Sequence, residues 1–171
     1  MARQYATQEQ VVNAIRARLI DKVPEFHENT CFVTDEPVPA TGYPHAQIFA
    51  TVSIGDGTFP PEFFAGGGDG QVTENGTVVI TTFSQLRTDN TGEITQAGFG
   101  AEKGLISRFK PAILAALLKD DWEPVADKNE LLRNQLYPVS CSRVGSAPIS
   151  QGSQSYLNFS ITFGTDFDWQ L

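Results

Sequence analysis

The residues best suited to chemistry in this chain are two histidines and two cysteines. Together, His27, His45, Cys31 and Cys141 have the composition of a Cys2His2 metal site. No pair of them has metal-ligand spacing, and His27-Glu28 is followed by Cys31 where a zincin helix would have its second histidine. We therefore expect no metal site. We expect instead two buried thiols in a reducing compartment, with one long-range disulfide as the alternative.

Two pairs of neighbouring carboxylates are the remaining candidates for acid–base catalysis. One pair, Asp120 and Asp121, follows an apolar segment. The other, Asp166 and Asp168, is two residues apart, so an extended chain would place both on one face. The simpler interpretation of that second pair, which we adopt, is a solvated chain end beside Trp169. The sequence thus predicts no catalytic residue.

The glycine-rich segments contain no nucleotide-binding motif. In GGGDGQ, Gln71 stands where G-x-G-x-x-G needs its third glycine, and no G-x-x-x-x-G-K-[ST] occurs. The nucleophile elbow G-x-S-x-G is also missing from the sequence. We expect no cofactor and no enzymatic activity. The alternative, a soluble enzyme or ligand-binding α+β domain, would require a closed, polar-lined pocket that contains His27 or His45.

The charge balance argues against specific nucleic-acid binding. The chain has 171 residues and a net charge of −8, and its 12 lysines and arginines are scattered without a run. Binding to DNA needs clustered cations that release counterions from the phosphates. The N-terminus has no apolar signal segment, and the apolar run from Ala112 to Leu118 is too short for a membrane span. We expect one domain, 1–171, that is soluble and made in the cytoplasm.

The N-terminal part predicts a helix and then short strands. Thr7 and Gln10 form a capping-box pattern ahead of apolar residues at helical spacing, and Pro24 would end the helix, which we place at Thr7–Lys22. A short strand is predicted at Thr30–Thr34. The segment AQIFATVSI predicts another strand, in which alternate residues from Ile48 to Ile54 share one face.

A long insertion, 55–76, interrupts this pattern. Its sequence combines glycines, which disfavour a regular element, with Phe59, Phe63 and Phe64. The Asn-Gly dipeptide at 75–76 predicts a turn. Aromatic side chains in such a loop either fold back onto their own core or contact a partner. Because glycine gives the backbone freedom to order on assembly, we expect the loop to contact an adjacent subunit or ring.

A central strand and a core helix follow the insertion. The strand is predicted at Thr77–Leu86, with apolar residues on both faces, and is followed by a polar turn, Arg87–Gly92. The helix is predicted at about Gly104–Lys119, where Pro111 either introduces a kink or begins a second helical piece. Its predicted buried stripe consists of Leu105, Ile106, Phe109, Ile113 and Leu117, widened by Leu114 and Leu118.

Two further strands complete the fold class. Leu136–Val144 reads as a strand that Pro138 confines to an edge or a bulge, and a small-residue loop, Gly145–Ser153, follows it. In Ser155–Phe163, alternation turns Leu157, Phe159, Ile161 and Phe163 inward and Tyr156, Asn158, Ser160 and Thr162 outward. The sequence therefore predicts an α+β domain with one antiparallel sheet, two helices on one face of it and one long Gly-rich loop insertion.

The order of these elements resembles that of the tail terminator proteins of long-tailed bacteriophages, which cap the finished tail tube and join it to the head. The resemblance rests on FSQLRTDNTGE after a VVITT strand, on the helix LISRFKPAILAALL and on the terminal LNFSITFGTDFDWQL. It covers most of the chain in element order, whereas the segment GDGTFPPEFFAGGGDG has no counterpart in the pattern.

The resemblance implies a mechanical function in the virion. The protein would form a homohexameric ring on the tail tube protein and would present a face to the head-completion or connector proteins. DNA would pass through the lumen without specific binding. Candidate subunit-interface residues are then Phe59, Phe63 and Phe64 of the insertion, Arg87 and Asp89 of the polar turn, and Trp169 of the tail. Another ring protein of the virion, such as a tail-tube, adaptor or head-closure component, is the closest alternative.

Overall fold

The structure is a computed structural model, and it describes most but not all of the chain. The described residues are 5–39, 46, 48–60, 70–85, 87–88, 94–96, 105–119, 121–126, 134–143, 145–148 and 155–170. Within them the chain is an α+β domain with two helices and a six-stranded sheet. The predicted fold class is therefore confirmed at this level.

The first helix, α1, runs from Gln8 to Lys22 and begins as its sequence predicts. Thr7 is its N-cap: the backbone N–H of Gln10 donates to the Thr7 hydroxyl, and the Gln10 side chain accepts from the Thr7 backbone N–H. At the other end the Val23 N–H still reaches the Leu19 carbonyl, and Pro24 follows. The buried side of α1 consists of Val11, Val12, Ile15 and Leu19.

The sheet has the strand order β1-β2-β3-β8-β6, with β7 also paired to β8. Its antiparallel centre is the long pair of β3, Gln71–Gln85, and β8, Ser155–Gln170, which remain in register from end to end. Strand β1 pairs in parallel with β2, so the sheet is mixed and the prediction of an antiparallel sheet is wrong at that edge. The other strands are β1 Cys31–Val33, β2 Ile48–Ile54, β6 Tyr137–Cys141 and β7 Gly145–Pro148.

Strands β3 and β8 extend further than predicted. Strand β3 begins at Gln71. The end of the predicted insertion, 71–76, is therefore regular sheet, and the predicted Asn-Gly turn at 75–76 is wrong. Likewise β8 continues past Phe163 to Gln170, which corrects the interpretation of Asp166 and Asp168 as a solvated chain end. Each extension is stabilised by pairing with the other. Residues 61–69 of the insertion lie outside the described part of the chain.

The second helix, α2, runs from Leu105 to Leu118 and continues through Pro111 as one element. Of its predicted stripe, Phe109, Ile113 and Leu117 are buried, whereas Leu118 is exposed. Leu114 packs at the border of the core. The side chains of Leu105 and Ile106 lie outside the described residues.

The core combines side chains from both helices with alternate residues of the sheet. Val52 of β2, Ile80 of β3 and Ile161 of β8 belong to the same buried cluster as Ile15 of α1 and Ile113 of α2. In the register these three strand residues are neighbours, because Val52 pairs with Ile80 and Ile80 pairs with Ile161. The sheet is therefore held to the helices by one row of alternating positions on each strand.

A second, smaller cluster consists of Phe49, Phe83 and Tyr156, which occupy the other set of alternating positions. Phe49 and Phe83 stack with ring centroids 4.4 Å apart, and Tyr156 meets Phe49 edge-on. The Tyr156 hydroxyl donates to the Ala46 carbonyl. The prediction that Tyr156 points outward is therefore wrong, because both faces of the sheet carry buried aromatics here.

Two smaller predictions also change, and a third is confirmed. The segment Gly145–Pro148, expected to be a loop, is strand β7 against β8. Arg87–Thr88 forms a short strand, β4, that pairs with β5, Ile94–Gln96, where a polar turn was expected. Strand β6 lies at the sheet edge with a register shift next to Pro138, as the proline predicted.

Candidate subunit interface

The long strand pair continues beyond its neighbours at one end of the sheet. Strand β2 stops at Ile54, opposite Val78, and β6 begins at Tyr137, opposite Gly164, so residues 71–76 and 165–170 form a two-stranded ribbon, which we call the ribbon end. On its β3 side the ribbon end is bridged by Thr58, which exchanges backbone hydrogen bonds with Asn75. The segment that follows β2 therefore returns to the sheet before it reaches the undescribed residues.

The other side of the ribbon end is closed by the N-terminal segment. The Asp168 N–H donates to the Ala6 carbonyl, and the Tyr5 N–H donates to the Asp168 carboxylate at 2.8 Å. The hydroxyl of Thr73 donates to the same carboxylate at 2.6 Å. Asp168 is buried. The pKa of the Tyr5 hydroxyl is raised, first by the burial of Tyr5 and then by the negative charges of Asp166 and Asp168. The Asp168 carboxylate thus serves as a hydrogen-bond acceptor that fixes the chain entry into α1. The Asp166 carboxylate accepts instead from the Asn75 amide on β3.

Asn134 completes this anchor, although its sequence context gave no indication of such a role. Its side-chain oxygen accepts from the Ala6 N–H at 3.0 Å, and its amide donates to the Asp166 carbonyl. The residue is fully buried. A buried amide that satisfies two backbone groups rigidifies the strand edge that it joins.

Trp169 is fixed at the tip of the ribbon end by a carboxylate. Its indole N–H donates to Glu74 at 2.8 Å, and the Gln8 amide donates to the same oxygen at 3.1 Å. Gly57 lies against this carboxylate, because a Cβ there would be 2.8 Å from the Glu74 Cδ. Glu74 is nearly buried, while Trp169 remains 38% exposed. The predicted interface residue is therefore an oriented and accessible aromatic.

Phe59 follows the Thr58 bridge and is 49% exposed. It shares its short segment with Asp56, whose carbonyl accepts from the Thr77 hydroxyl and whose side chain is exposed. Exposed aromatics of this size are typical of contact surfaces between proteins. Two of the six predicted interface residues, Phe59 and Trp169, are thus brought to the same end of the sheet.

The side chains of the other four predicted interface residues lie outside the described part of the chain. Phe63, Phe64 and Asp89 lie outside the described residues, and Arg87 is in β4 with its side chain outside them. For these residues the interface assignment remains a prediction.

The face of the sheet opposite the main core is rich in hydroxyl, amide and carboxylate side chains around the ribbon end. Tyr137 of β6 lies across Gly164, and its hydroxyl accepts from the Asn75 amide at 3.5 Å. The hydroxyls of Thr81 and Ser160 hydrogen-bond to each other at 2.7 Å. We call this surface the polar face; its partly exposed residues are Thr73, Asn75, Thr77, Val79, Asn158, Ser160, Thr162 and Asp166, whereas Thr81 and Asp168 are buried in it.

The charged side chains in the strands of the six-stranded sheet are all negative. Its six described strands contain three carboxylates, those of Glu74, Asp166 and Asp168, and no lysine, arginine or histidine. The described cations lie elsewhere, chiefly on the two helices. This distribution could not be read from composition alone, since it depends on which segments become the sheet.

The histidines and cysteines do not form a site in the described structure. Cys31 is buried in β1 and Cys141 is exposed in β6, at opposite edges of the sheet, and both are free. The expectation that both thiols are buried is therefore wrong for Cys141, because the side chains of its edge strand are all exposed. His45 lies outside the described residues. Among the residues that are described, no three His, Cys, Asp or Glu side chains are grouped so that they could hold a metal ion.

Neither α1 nor α2 combines the length and the apolar character that a membrane-crossing helix requires. In comparisons with known proteins, no family model matches the chain. No curated protein is significantly similar to it.

Proposed function

We propose that this chain is a ring-forming structural protein of a bacteriophage tail, a tail terminator rather than an enzyme. In this proposal it assembles as a homohexamer in the neck of the virion, caps the tail tube protein and presents the opposite surface to the head-completion or connector proteins. The DNA passes through its lumen without specific binding.

The segments that carry the resemblance are neighbours in the fold, which supports the proposal. VVITTFSQ is the second half of β3, LISRFKPAILAALL is α2, and LNFSITFGTDFDWQ belongs to β8. Strands β3 and β8 pair along their whole length, and side chains of α2 share their buried cluster. The similarity therefore concerns the packed centre of the domain and not three separate pieces of sequence.

The polar face is the observation that carries the proposal. A channel for DNA needs a surface that does not hold phosphates, and neutralising phosphates requires lysine or arginine. The described strands offer hydroxyls, amides and the Asp166 carboxylate on this face, without a cation. In our proposal both helices cover the other face of the sheet, so that the polar face is left to line the lumen.

In this proposal the exposed aromatics form the contacts that close the ring. Phe59 and Trp169 are accessible at the ribbon end, where Glu74 orients the indole. Phe63 and Phe64 follow Phe59 closely in sequence, and their part in the interface stays a prediction. A ring of identical subunits requires two different patches that meet head to tail around the axis.

The test is the assembly state of the purified full-length chain. Native mass spectrometry and negative-stain electron microscopy, over a range of protein concentrations, should give closed single rings of six copies. A monomer at every concentration would contradict the proposal. Rings that stack into long tubes would identify a tube component instead, since a terminator ends tube growth.

A further inference from the structure

The outward side of α2 lacks the polar residues of an ordinary surface helix. From Pro111 to Leu118 the sequence is PAILAALL, two turns without a polar side chain. The inward side, Ile113, Ala116 and Leu117, is buried in the core, whereas Pro111, Ala115 and Leu118 are exposed. A helix that is apolar all round is normally covered on both sides.

A lysine flanks this outward side at each end. Lys110 precedes it and Lys119 follows it, and α2 itself contains no carboxylate. The nearest described carboxylate beyond the helix, Asp121, is 2.9 Å from the Arg18 guanidinium and is thereby paired. We call Pro111, Ala115 and Leu118, with the two flanking lysines, the α2 patch.

The ribbon end carries the complementary properties. Phe59 and Trp169 are exposed aromatics, and the exposed Asp56 precedes Phe59 on the segment that passes Glu74. Aromatic side chains on a rigid support fit apolar helix surfaces, and an acidic rim matches flanking lysines. We call Asp56, Phe59 and Trp169 the aromatic patch.

The two patches lie toward different ends of α1. Gln8 at the start of α1 donates to Glu74 beside the aromatic patch. Ten residues later, about 15 Å along the helix, Arg18 donates to the Ala116 carbonyl of α2. Because one chain presents both surfaces at separate places, identical copies can join them head to tail, which is the geometry of a ring.

We propose that the α2 patch is the docking site for the aromatic patch of the next copy of this chain. The inference rests on the proposed ring and specifies its contact. Phe59 and Trp169 of one copy cover Ala115 and Leu118 of its neighbour, while Asp56 meets one of the two flanking lysines. The joint is heterologous, so each copy uses both patches.

The experiment compares two patch variants, alone and mixed, by native mass spectrometry. Ala115→Arg places a large charge on the α2 patch, and Phe59→Ser removes the aromatic from the other. Each variant alone should lose the assemblies of the unaltered protein. Their mixture should form dimers, with one intact joint between two altered surfaces, and nothing larger. Ala17→Arg, at an exposed position of α1, is the matched control and should assemble normally.

The outcomes separate this inference from the proposed function. Rings of Ala115→Arg or Phe59→Ser as abundant as those of the unaltered chain would overturn the docking site while leaving a ring protein. A mixture without dimers would overturn the head-to-tail pairing of these two patches. Unfolding midpoints that match the Ala17→Arg control show that a loss of assembly is not a loss of fold.

A charge swap tests the acidic and basic partners separately. Asp56→Lys alone, or Lys110→Glu with Lys119→Glu alone, should abolish assembly, and all three substitutions in one chain should restore it.

Discussion

At the scale of single residues, two glycines of the central strand pair are covered by aromatic rings. A Cβ on Gly76 would be 2.5 Å from a ring carbon of Phe167, which is fully buried. A Cβ on Gly164 would be 2.3 Å from the ring of Tyr137, which is 47% exposed. The contacts are equally close, but only the tyrosine has solvent into which it can move.

We therefore expect Gly76→Ala to be the more damaging substitution. Displacing a buried ring forces the surrounding core to shift, which costs about 1–3 kcal/mol of unfolding free energy. Gly164→Ala should cost clearly less, because Tyr137 can swing outward. Urea unfolding of the two variants measures the difference. Equal losses would mean that Tyr137 is held as firmly as Phe167.

A second residue-scale prediction concerns pH and the buried thiol. Burial raises the pKa of Cys31 from 9.0 to about 12, against a smaller opposing effect of Arg16. The unfolded chain then loses this proton at lower pH than the folded one. The thiol's contribution to stability is complete below pH 9 and is lost as the pH rises toward 12, by up to about 1.4 kcal/mol per pH unit.

Unfolding free energies of the reduced protein between about pH 8 and pH 10.5 test this. The unaltered chain should lose stability across the range. Cys31→Ala should lose less, because the variant has no thiol to titrate at this position. Burial also raises the pKa of Tyr156, so some alkaline loss persists in the variant. Cys141→Ala is the control, since its thiol is exposed. Identical slopes for the unaltered chain and Cys31→Ala would contradict the prediction.

At the scale of elements, α2 has two sides that sequence alone treats alike. Leu117 and Leu118 are adjacent leucines in one apolar run, yet Leu117 is 3% exposed and Leu118 is 36% exposed. Leu117→Ala should cost about 2–5 kcal/mol, because it leaves a cavity in the main core. Leu118→Ala should cost no more than about 1 kcal/mol in the monomer, nearer the range of surface substitutions.

Thermal or urea unfolding of these two variants, under conditions where the protein is monomeric, makes the comparison. A loss below about 0.5 kcal/mol for Leu117→Ala would place the helix outside the core. A large loss for Leu118→Ala in the monomer would show that its side chain is already covered within one chain, and would weaken the case for the α2 patch.

Elements with strong local signals were predictable from the sequence. The capping box and Pro24 fixed α1, and the apolar period fixed α2 to within one residue at each end. The ends of the strands were not predictable in this way, because Asn75, Gly76 and Gly164 are poor strand residues by local preference. They are in strands because β3 and β8 pair with each other and because rings cover the glycines.

The candidate interface was predictable only as a list of residues, the aromatics of the insertion and tail together with Arg87 and Asp89 of the polar turn. The exposed positions of Phe59 and Trp169 are consistent with that prediction, but nothing local relates Trp169 to Glu74 or Asp168 to Tyr5, which are far apart in sequence. Such contacts depend on long-range strand pairing. The outward side of α2 was readable in PAILAALL, yet an apolar stripe predicts burial without distinguishing the core from a partner.

At the scale of the whole molecule, the strands of the described six-stranded sheet contain no lysine or arginine, although Arg143 lies between β6 and β7. The described sheet has carboxylates and no cation, whereas α1 and α2 carry arginines and lysines. Arg18 and Arg108 are engaged in holding the helices, through Asp121 and Glu25 respectively. In a ring whose polar face lines the lumen, this separation would place cations toward the outside and leave the DNA path without them.

That arrangement predicts how DNA binding responds to added charge. The unaltered ring should not retain double-stranded DNA at about physiological salt, because the polar face offers no counterion-releasing contact. Replacing Asn158 and Thr162, two half-buried positions of that face on β8, with lysine should create binding that weakens steeply as salt is raised. The matched control carries Asn13→Lys and Ala17→Lys, at exposed positions of α1, and adds the same charge outside the sheet. Fluorescence anisotropy with a short duplex, at several salt concentrations, compares the three proteins. Equal binding by both lysine variants would show that the polar face has no privileged access to DNA, and the lumen assignment would then be wrong.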